Sequence, residues 1–160
     1  MKLKQISVPL ENAIGCAYDV LGALGERGIN LRALNLVDSG EFGELRLLVS
    51  NLTEARQILM ENRITAWVSE VVAFEIEDRP NALAEVLAHL TAARIAVNYA
   101  YAFASSVSGN AVMIFSFEDN DKAIETLQRI GVRLLDVEAF GMLDNAPNVC
   151  AEEPHRQTAA

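Results

Sequence analysis

A single residue pattern occurs twice in this sequence, and the repeat constrains the fold more than any other feature. The copies are offset by about 66 residues: Glu11–Leu21 aligns without a gap with Glu77–Leu87, and Ile29 aligns with Ile95. A chain of 160 residues is long enough for one ordinary domain or two very small ones. The duplication favours two similar units.

The hydrophobic periodicity changes in the same order in both copies: alternating, helical, alternating twice, helical, alternating. In the first copy this predicts elements at Gln5–Leu10, a helix after Gly15, Leu31–Val37, Gly43–Ser50, Leu52–Asn62 and Thr65–Val68. In the second copy it predicts Val71–Ile76, Ala82–Ala93, Val97–Ala104, Ala111–Phe117, Asp121–Ile130 and Arg133–Phe140. The order βαββαβ predicts an α+β fold of two tandem ferredoxin-like units, each with an antiparallel sheet and two helices on one face.

The expected domain organisation follows from this reading. We place a first domain at residues 1–69, a second at 70–141 and a flexible tail at 142–160, where the apolar period ends and prolines appear. Two strand segments, Val71–Phe74 and Val112–Phe115, are apolar on both faces, although one helix layer covers only one face. We therefore expect the two units to pair within the chain and the chains to form a homodimer. The alternative is that strands rich in small apolar residues are simply permissive.

The charge balance argues against nucleic acid and membranes as partners. The chain has 22 acidic and 13 basic residues, a formal net charge of -9 and no basic cluster, so it would repel a phosphate backbone or an anionic bilayer. No apolar run approaches the roughly 20 residues that span a bilayer, and no signal-peptide core follows Met1. Cys16 and Cys150 are too far apart for a disulfide framework, so we expect reduced thiols and a cytoplasmic location.

No metal site, cofactor or catalytic set is expected. His89 and His155 are the only histidines, and neither belongs to a cluster. The segment Asp119–Asp121 lacks the glycine and distal glutamate of a calcium loop, and capping of the following helix explains it better. Aromatic residues on strands of the second copy are interpreted as core rather than as an RNA-stacking surface, namely Phe74, Phe115 and Phe117.

Two pairs of segments identify a family resemblance. Leu10–Gly15 and Glu77–Leu87 precede and open the first helix of each copy, and Gly28–Leu31 and Arg94–Val97 follow it. They resemble the ACT domain over residues 4 to about 140, and the whole chain looks like a stand-alone tandem ACT protein. The resemblance implies a regulatory protein that binds a small molecule, most often an amino acid, at an interface between ACT domains, and that is not an enzyme.

The resemblance also implies the position of the ligand. The loop before the first helix would hold it, since a helix start offers unpaired N–H groups and a positive dipole end to a carboxylate. Asparagine can donate to a carboxylate and accept from an ammonium. The implied ligand-binding residues are the loop Asn12, Ala13, Ile14 and Gly15, then Asn30 and Leu31 from across an interface, with Asp78, Arg79, Pro80 and Asn81 as a wall.

Departures from the family pattern favour the first copy as the better site. Ala13 and Ile14 replace its usual basic residue and proline, whereas the second copy has Asn81 at a glycine position and Ala96 at an asparagine position. Structural roles are the alternative for each residue alone: Asn12 as a helix cap, Gly15 in a tight turn and Asn30 on a backbone group.

Two other functions remain open at this stage. The chain could be a partner or regulatory subunit of a metabolic enzyme that binds no ligand itself. A small ferredoxin-like acyl-phosphate hydrolase would need an arginine and an asparagine in an anion-binding loop, which Arg79 and Asn81 suggest only faintly.

Overall fold

The structure, a computed structural model, describes residues 1–11, 13–38, 40, 42–104 and 110–143. Both predicted copies of the unit are present. In chain order the elements are β1 (Lys2–Glu11), α1 (Cys16–Glu26), β2 (Leu31–Asp38), β3 (Phe42–Val49), α2 (Leu52–Glu61), β4 (Trp67–Glu77), α3 (Ala82–Ala92), β5 (Val97–Ala104), β6 (Asn110–Phe117), α4 (Asn120–Arg129) and β7 (Arg133–Leu135).

One long strand, β4, belongs to both units. Its first half, Trp67–Val72, pairs antiparallel with β1, and its second half, Val72–Glu77, pairs antiparallel with β6. The sheet is therefore continuous in the order β2-β3-β1-β4-β6-β5, with β7 also on β4. The prediction of two separate strands, Thr65–Val68 and Val71–Ile76, was wrong, since one strand covers both, and the predicted domain boundary between residues 69 and 70 lies within it.

The last strand, β7, is shorter than predicted for a steric reason. It pairs with β4 on the same edge as β1, with Leu135 opposite Ala73. The next position on that edge, Val72, is already paired with Lys2 of β1. Because β1 occupies the edge from there on, the chain must leave the sheet after Leu135, and the predicted strand to Phe140 ends early.

The helices cover one face of each unit, as predicted. In the first unit, α1 and α2 pack on the even-numbered side chains of β1, and the buried core includes Ile6, Val8, Val20, Leu24, Leu47, Ile58 and Leu59. In the second unit, α3 and α4 pack on β4 and β6, and the core includes Val72, Phe74, Val86, Leu90, Phe115 and Leu127. Phe115 lies 5.2 Å from Phe74 and 5.3 Å from Phe117, ring centroid to ring centroid, so these rings are core residues, as interpreted.

The helix-free faces of the two units pack against each other. Arg46 on β3 lies 3.7 Å above the ring of Tyr99 on β5, although four strand spacings of about 4.8 Å separate these strands in a flat sheet. The sheet therefore curls until the two faces meet. A third buried cluster forms between them, including Leu3, Leu48, Val71, Ala73, Val112, Ile114 and Leu135. The units pair within the chain, as the doubly apolar strands predicted.

A buried polar network lies inside this third cluster. Gln5 is fully buried, and its Nε2 donates to the Tyr99 hydroxyl at 2.8 Å. The Tyr101 hydroxyl donates to Gln5 Oε1 at 2.9 Å. Ser69 Oγ lies 3.4 Å from Gln5 Nε2. The network joins β1 of the first unit to β5 of the second and fixes their relative position.

The chain after β7 is fastened to the first unit. Phe140 and Met142 are buried in the third cluster, and both Arg32 Nε and Nη2 donate to the Gly141 carbonyl, at 3.0 and 2.8 Å. The Leu143 N–H donates to the Ser50 carbonyl at 2.8 Å. Residues 142 and 143, which the prediction assigned to the flexible tail, thus contact the first unit. Residues 144–160 lie outside the described residues.

Candidate functional site

The loop between β1 and α1 is exposed and turns sharply into the helix. The Ala13 N–H donates to the Glu11 carbonyl at 2.7 Å, and Ile14 is fully exposed. Gly15 precedes the helix with φ 98°, a left-handed conformation that glycine adopts without a steric penalty. Asn12 lies outside the described residues. The structure thus presents the predicted loop residues 13–15 to solvent at the start of α1.

The start of α1 differs from the starts of α2 and α4. Asn51 and Asp119 accept hydrogen bonds from the N–H groups of Glu54 and Lys122, at 3.1 and 2.9 Å, and so cap those two helices. Capping by Asp119 confirms the interpretation of that segment. Gly15 has no side chain for this purpose, and the Cys16 N–H donates to the Ala13 carbonyl at 3.4 Å. No side chain among the described residues caps α1, so its other first-turn N–H groups can bind an anion.

A small cavity lies beside this helix start. Its volume is about 100 Å³, and it opens between the loop, the first turn of α1, the end of β2 and the start of β3. Two acidic residues, Glu11 and Asp38, lie at its wall, and Asp38 accepts a hydrogen bond from the Gly40 N–H at 2.8 Å. The other lining residues are apolar or small: Leu10, Ala13, Cys16, Ala17, Leu36, Val37 and Gly43.

The loop of the second unit also enters its helix through a left-handed residue but has a different electrostatic arrangement. Asn81 takes the position of Gly15 with φ 73°. Arg79 Nε donates to Glu77 at 2.6 Å, and its two terminal nitrogens donate to Glu85 at 3.0 and 2.6 Å. These bonds raise the pKa of Arg79 and lower that of the Glu85 carboxyl. The Arg79 guanidinium is thus held by two carboxylates of its own unit.

Comparisons with known proteins agree with this architecture. The sequence matches the family model of the ACT domain pair over residues 1–149. The chain belongs to the ACT domain family. The resemblance and the fold class predicted from the sequence are both confirmed. A comparison with curated proteins found no match.

Solved structures of other proteins share the fold. Protein BT0572 from Bacteroides thetaiotaomicron is 34% identical, with a TM-score of 0.83 over 89% of this chain and 98% of that one. The regulatory subunits of aspartate kinase from Thermus thermophilus and Thermus flavus are 18% and 17% identical, with TM-scores of 0.57 and 0.58 over 79% of this chain and 90% of theirs. At that identity, the Thermus structures show likeness of fold alone.

Within one chain, the remaining predicted site residues lie away from the loop between β1 and α1, here named the first ACT loop. Asn30 and Leu31 are at the start of β2, whereas the cavity is at its end, roughly 25 Å away for an eight-residue strand. The side chain of Asn30 is exposed, and its backbone N–H donates to Ser50 Oγ at 3.0 Å.

The second ACT loop also lies far from the first. β1 and β4 are antiparallel, with Lys2 opposite Val72. The two strands therefore end in opposite directions, and Glu11 and Glu77 lie roughly 45 Å apart along the strands. Asp78, Arg79, Pro80 and Asn81 follow Glu77 directly. They cannot form a wall for the first loop of the same chain, so the predicted wall would have to come from another chain.

A larger open groove of about 590 Å³ lies where α4 begins. Polar groups that line this groove bind one another. Lys2 Nζ binds Glu70 at 3.1 Å and Asp121 at 2.9 Å, and Asn120 Nδ2 donates to the Glu70 carbonyl at 3.0 Å. Because these groups satisfy one another, the groove is a weaker candidate than the first ACT loop.

Metal-ligating clusters and membrane-spanning helices are both absent from the residues that the structure describes. No group of three or more His, Cys, Asp or Glu side chains is placed to hold a metal ion within those ranges. None of the helices there has the length and hydropathy of a membrane span.

Sequence reasoning missed several residues of the cavity. Cys16, Ala17 and Leu36 line it, together with the acidic Glu11 and Asp38. The signal that could have found Glu11 is the repeat itself, which aligns it with Glu77 beside the arginine of the second loop.

Proposed function

We propose that this ACT pair is a regulatory protein that binds a free amino acid at the loop between β1 and α1 of its first unit. The observation that carries the proposal is the uncapped, exposed start of α1 beside an apolar cavity with acidic residues at its wall. The role is regulatory rather than catalytic, and the protein acts in the cytoplasm.

The chemistry of the loop suits a zwitterion. The N–H groups of Ala17 and Tyr18 lie in the first turn of α1, where a helix supplies no backbone acceptor, and they would donate to the ligand carboxylate. Carboxylates at the cavity, including Glu11, would accept its ammonium. Ala13 and Gly15 leave space for close approach because neither carries a bulky side chain.

We further infer that the site is completed by a second copy of the chain. β2 is a terminal strand of the sheet in the described part of the chain, so its outer backbone edge can pair with another strand. Leu34 and Leu36 on this strand are 44% and 55% exposed, and the neighbouring Phe42 is 60% exposed. Antiparallel pairing of two β2 strands would place the start of one beside the end of the other, and so bring Asn30 of the partner towards the loop.

Sedimentation tests the proposed homodimer, because it measures the mass of the protein in solution. We expect the wild-type protein to sediment as a dimer at micromolar concentration, and Leu36→Lys to sediment as a monomer, since a charged lysine on an edge strand opposes pairing. Met60→Lys, on a 73% exposed apolar residue of α2, is the control and should remain dimeric. A monomeric wild type would contradict the proposed pairing of two β2 strands.

Ligand binding predicts a thermal shift. Screening against the twenty amino acids should find one that raises the melting temperature, because a ligand at 100 times its Kd stabilises the native state by about 2.7 kcal/mol. Asn30→Ala should abolish most of this shift without lowering the melting temperature of the unliganded protein.

The control for that variant is Asn98→Ala, an exposed asparagine near the start of the corresponding strand of the second unit. It should leave the shift unchanged. The absence of a shift with every amino acid would contradict the proposed function and favour a subunit that binds a partner protein only.

A further inference from the structure

The interface between the helix-free faces of the two units has an apolar end and a polar end. On three strands of the first unit, the side chains that face this interface change from apolar to polar in the same direction. They are Leu3, Gln5 and Ser7 on β1, Leu48, Arg46 and Glu44 on β3, and Val71 and Ser69 on β4. Apolar packing therefore holds one end of the interface, and polar contacts hold the other.

Arg46 is the residue of the polar end that reaches across to the second unit. Its guanidinium lies 3.7 Å from the centre of the Tyr99 ring on β5, and its Nη2 donates to Glu44 Oε2 at 2.6 Å. The side chains of Arg46 and Glu44 are 13% and 26% exposed. The guanidinium charge is therefore largely removed from water, and a carboxylate and an aromatic face replace its hydration.

One donor of this guanidinium lacks an acceptor. Arg46 Nε is buried, and no group in the described part of the chain accepts a hydrogen bond from it. A buried donor without an acceptor keeps its desolvation penalty, and a buried ion pair often adds no net stability compared with apolar side chains of similar size. Separation of the two faces at the polar end would return water to Nε and to both charges. The contact therefore opens at low cost.

The apolar end is closed by packing and by the chain itself. Leu3, Val71 and Ile114 are fully buried there. The segment after β7 crosses to the first unit, where the Leu143 N–H donates to the Ser50 carbonyl. Separation at this end would expose apolar surface and break this connection. The two ends thus differ in the cost of opening, and local opening begins where that cost is lowest.

We propose that Glu44, Arg46 and Tyr99 form a latch between the two ACT units, and that the units separate at the polar end while the apolar end stays closed. In the closed state the Arg46 guanidinium lies on the Tyr99 ring. In the open state the sheet uncurls around β4, Gln5 exchanges its hydrogen bonds for water, and Ser7 becomes accessible. The latch is independent of which ligand, if any, binds the first ACT loop.

Thiol labelling of the native protein tests the latch. Ser7 is 1% exposed and lies opposite Arg46 in the register of β1 and β3. Ser7→Cys, in a chain that also carries Cys16→Ser and Cys150→Ser, gives a thiol that an aromatic disulfide reagent reaches only after the polar end opens. The comparison probe is Ala73→Cys in the same chain, at a fully buried position of the apolar end. Relative to the rates in denaturant, we expect the Ser7→Cys thiol to react about tenfold faster or more.

Two substitutions of Arg46 should change this rate in opposite directions. Arg46→Met keeps an apolar side chain on the Tyr99 ring and removes the donor without an acceptor, so the Ser7→Cys thiol should react about tenfold more slowly. Arg46→Ala removes the contact, so the same thiol should react about fivefold faster or more. Arg27→Met is the matched control, at an exposed arginine that pairs with Glu61 at 3.1 Å within the first unit, and should leave the rate unchanged.

The possible results either support or overturn the latch. Equal labelling of the Ser7→Cys and Ala73→Cys thiols would show that the interface opens only when the whole protein unfolds. Unchanged or faster labelling in the Arg46→Met background would show that the arginine is a structural contact that the closed interface needs. Either result would overturn the latch. Neither bears on amino-acid binding, which the thermal-shift screen tests separately, so the two proposals can fail independently.

Discussion

Phe74→Ala is expected to lower the free energy of unfolding by about 4 kcal/mol, since removal of a fully buried phenylalanine leaves a cavity and loses its transfer free energy. Phe74 lies on the half of β4 that belongs to the second unit, and its ring contacts Phe115. Because β4 is also a strand of the first unit, we expect the whole chain to unfold in one cooperative transition at lower denaturant concentration.

The single tryptophan makes this testable. Trp67 lies on the other half of β4, which pairs with β1, so its fluorescence reports on the first unit, whereas far-UV circular dichroism reports on both. The two signals should shift together in the Phe74→Ala variant. Met60→Ala, at a 73% exposed methionine of α2, should change the stability by no more than about 0.5 kcal/mol. A tryptophan transition that stays at its wild-type midpoint would show that the units unfold independently.

Gln5→Ala is expected to destabilise the protein by about 3 kcal/mol. The substitution leaves the hydroxyls of Tyr99 and Tyr101 without their partner inside the interface between the units, and an unsatisfied buried polar group costs about 1–3 kcal/mol. Burial of Tyr101 already raises the pKa of its hydroxyl, which stays protonated and able to donate.

A double-mutant cycle isolates the hydrogen bond. Gln5→Ala should lower the free energy of unfolding less in a Tyr101→Phe background than in the wild type, because one of the two hydroxyls that lose their partner is then absent. Gln128→Ala on the exposed surface of α4 is the control and should be nearly neutral. An equal cost of Gln5→Ala in both backgrounds would mean that packing alone, rather than the polar network, holds the two units together.

Much of the fold was predictable from the sequence because local patterns decided it. The apolar alternation predicted a strand at Val97–Ala104, and the structure has the same bounds. The helical period predicted a helix at Leu52–Asn62, which in the structure ends one residue earlier, at Glu61. Gly28 follows α1 with φ 78°, as expected for a helix-ending glycine. In each case the apolar period or a special backbone residue carries the information.

The site was predictable only in part. The sequence identified Ala13, Ile14 and Gly15 as loop residues at a helix start, and the structure places them there, exposed. It did not identify Ala17 or Leu36 as cavity residues, because their contact depends on the approach of α1 to the end of β2. The contacts between residues distant in the chain are set by packing, which a periodic pattern does not encode.

By itself, the sequence determined that this chain folds as two similar βαββαβ units, because the repeat and its periodicities fix the order and the buried face of each element. Only the tertiary structure decided how the units join. The fusion of two strands into β4, the early end of β7 and the enclosure of Gln5 by Tyr99 and Tyr101 all arise from competition for strand edges and from the curling of the sheet. Such edges and faces exist only after the elements have assembled, so no local pattern can specify them.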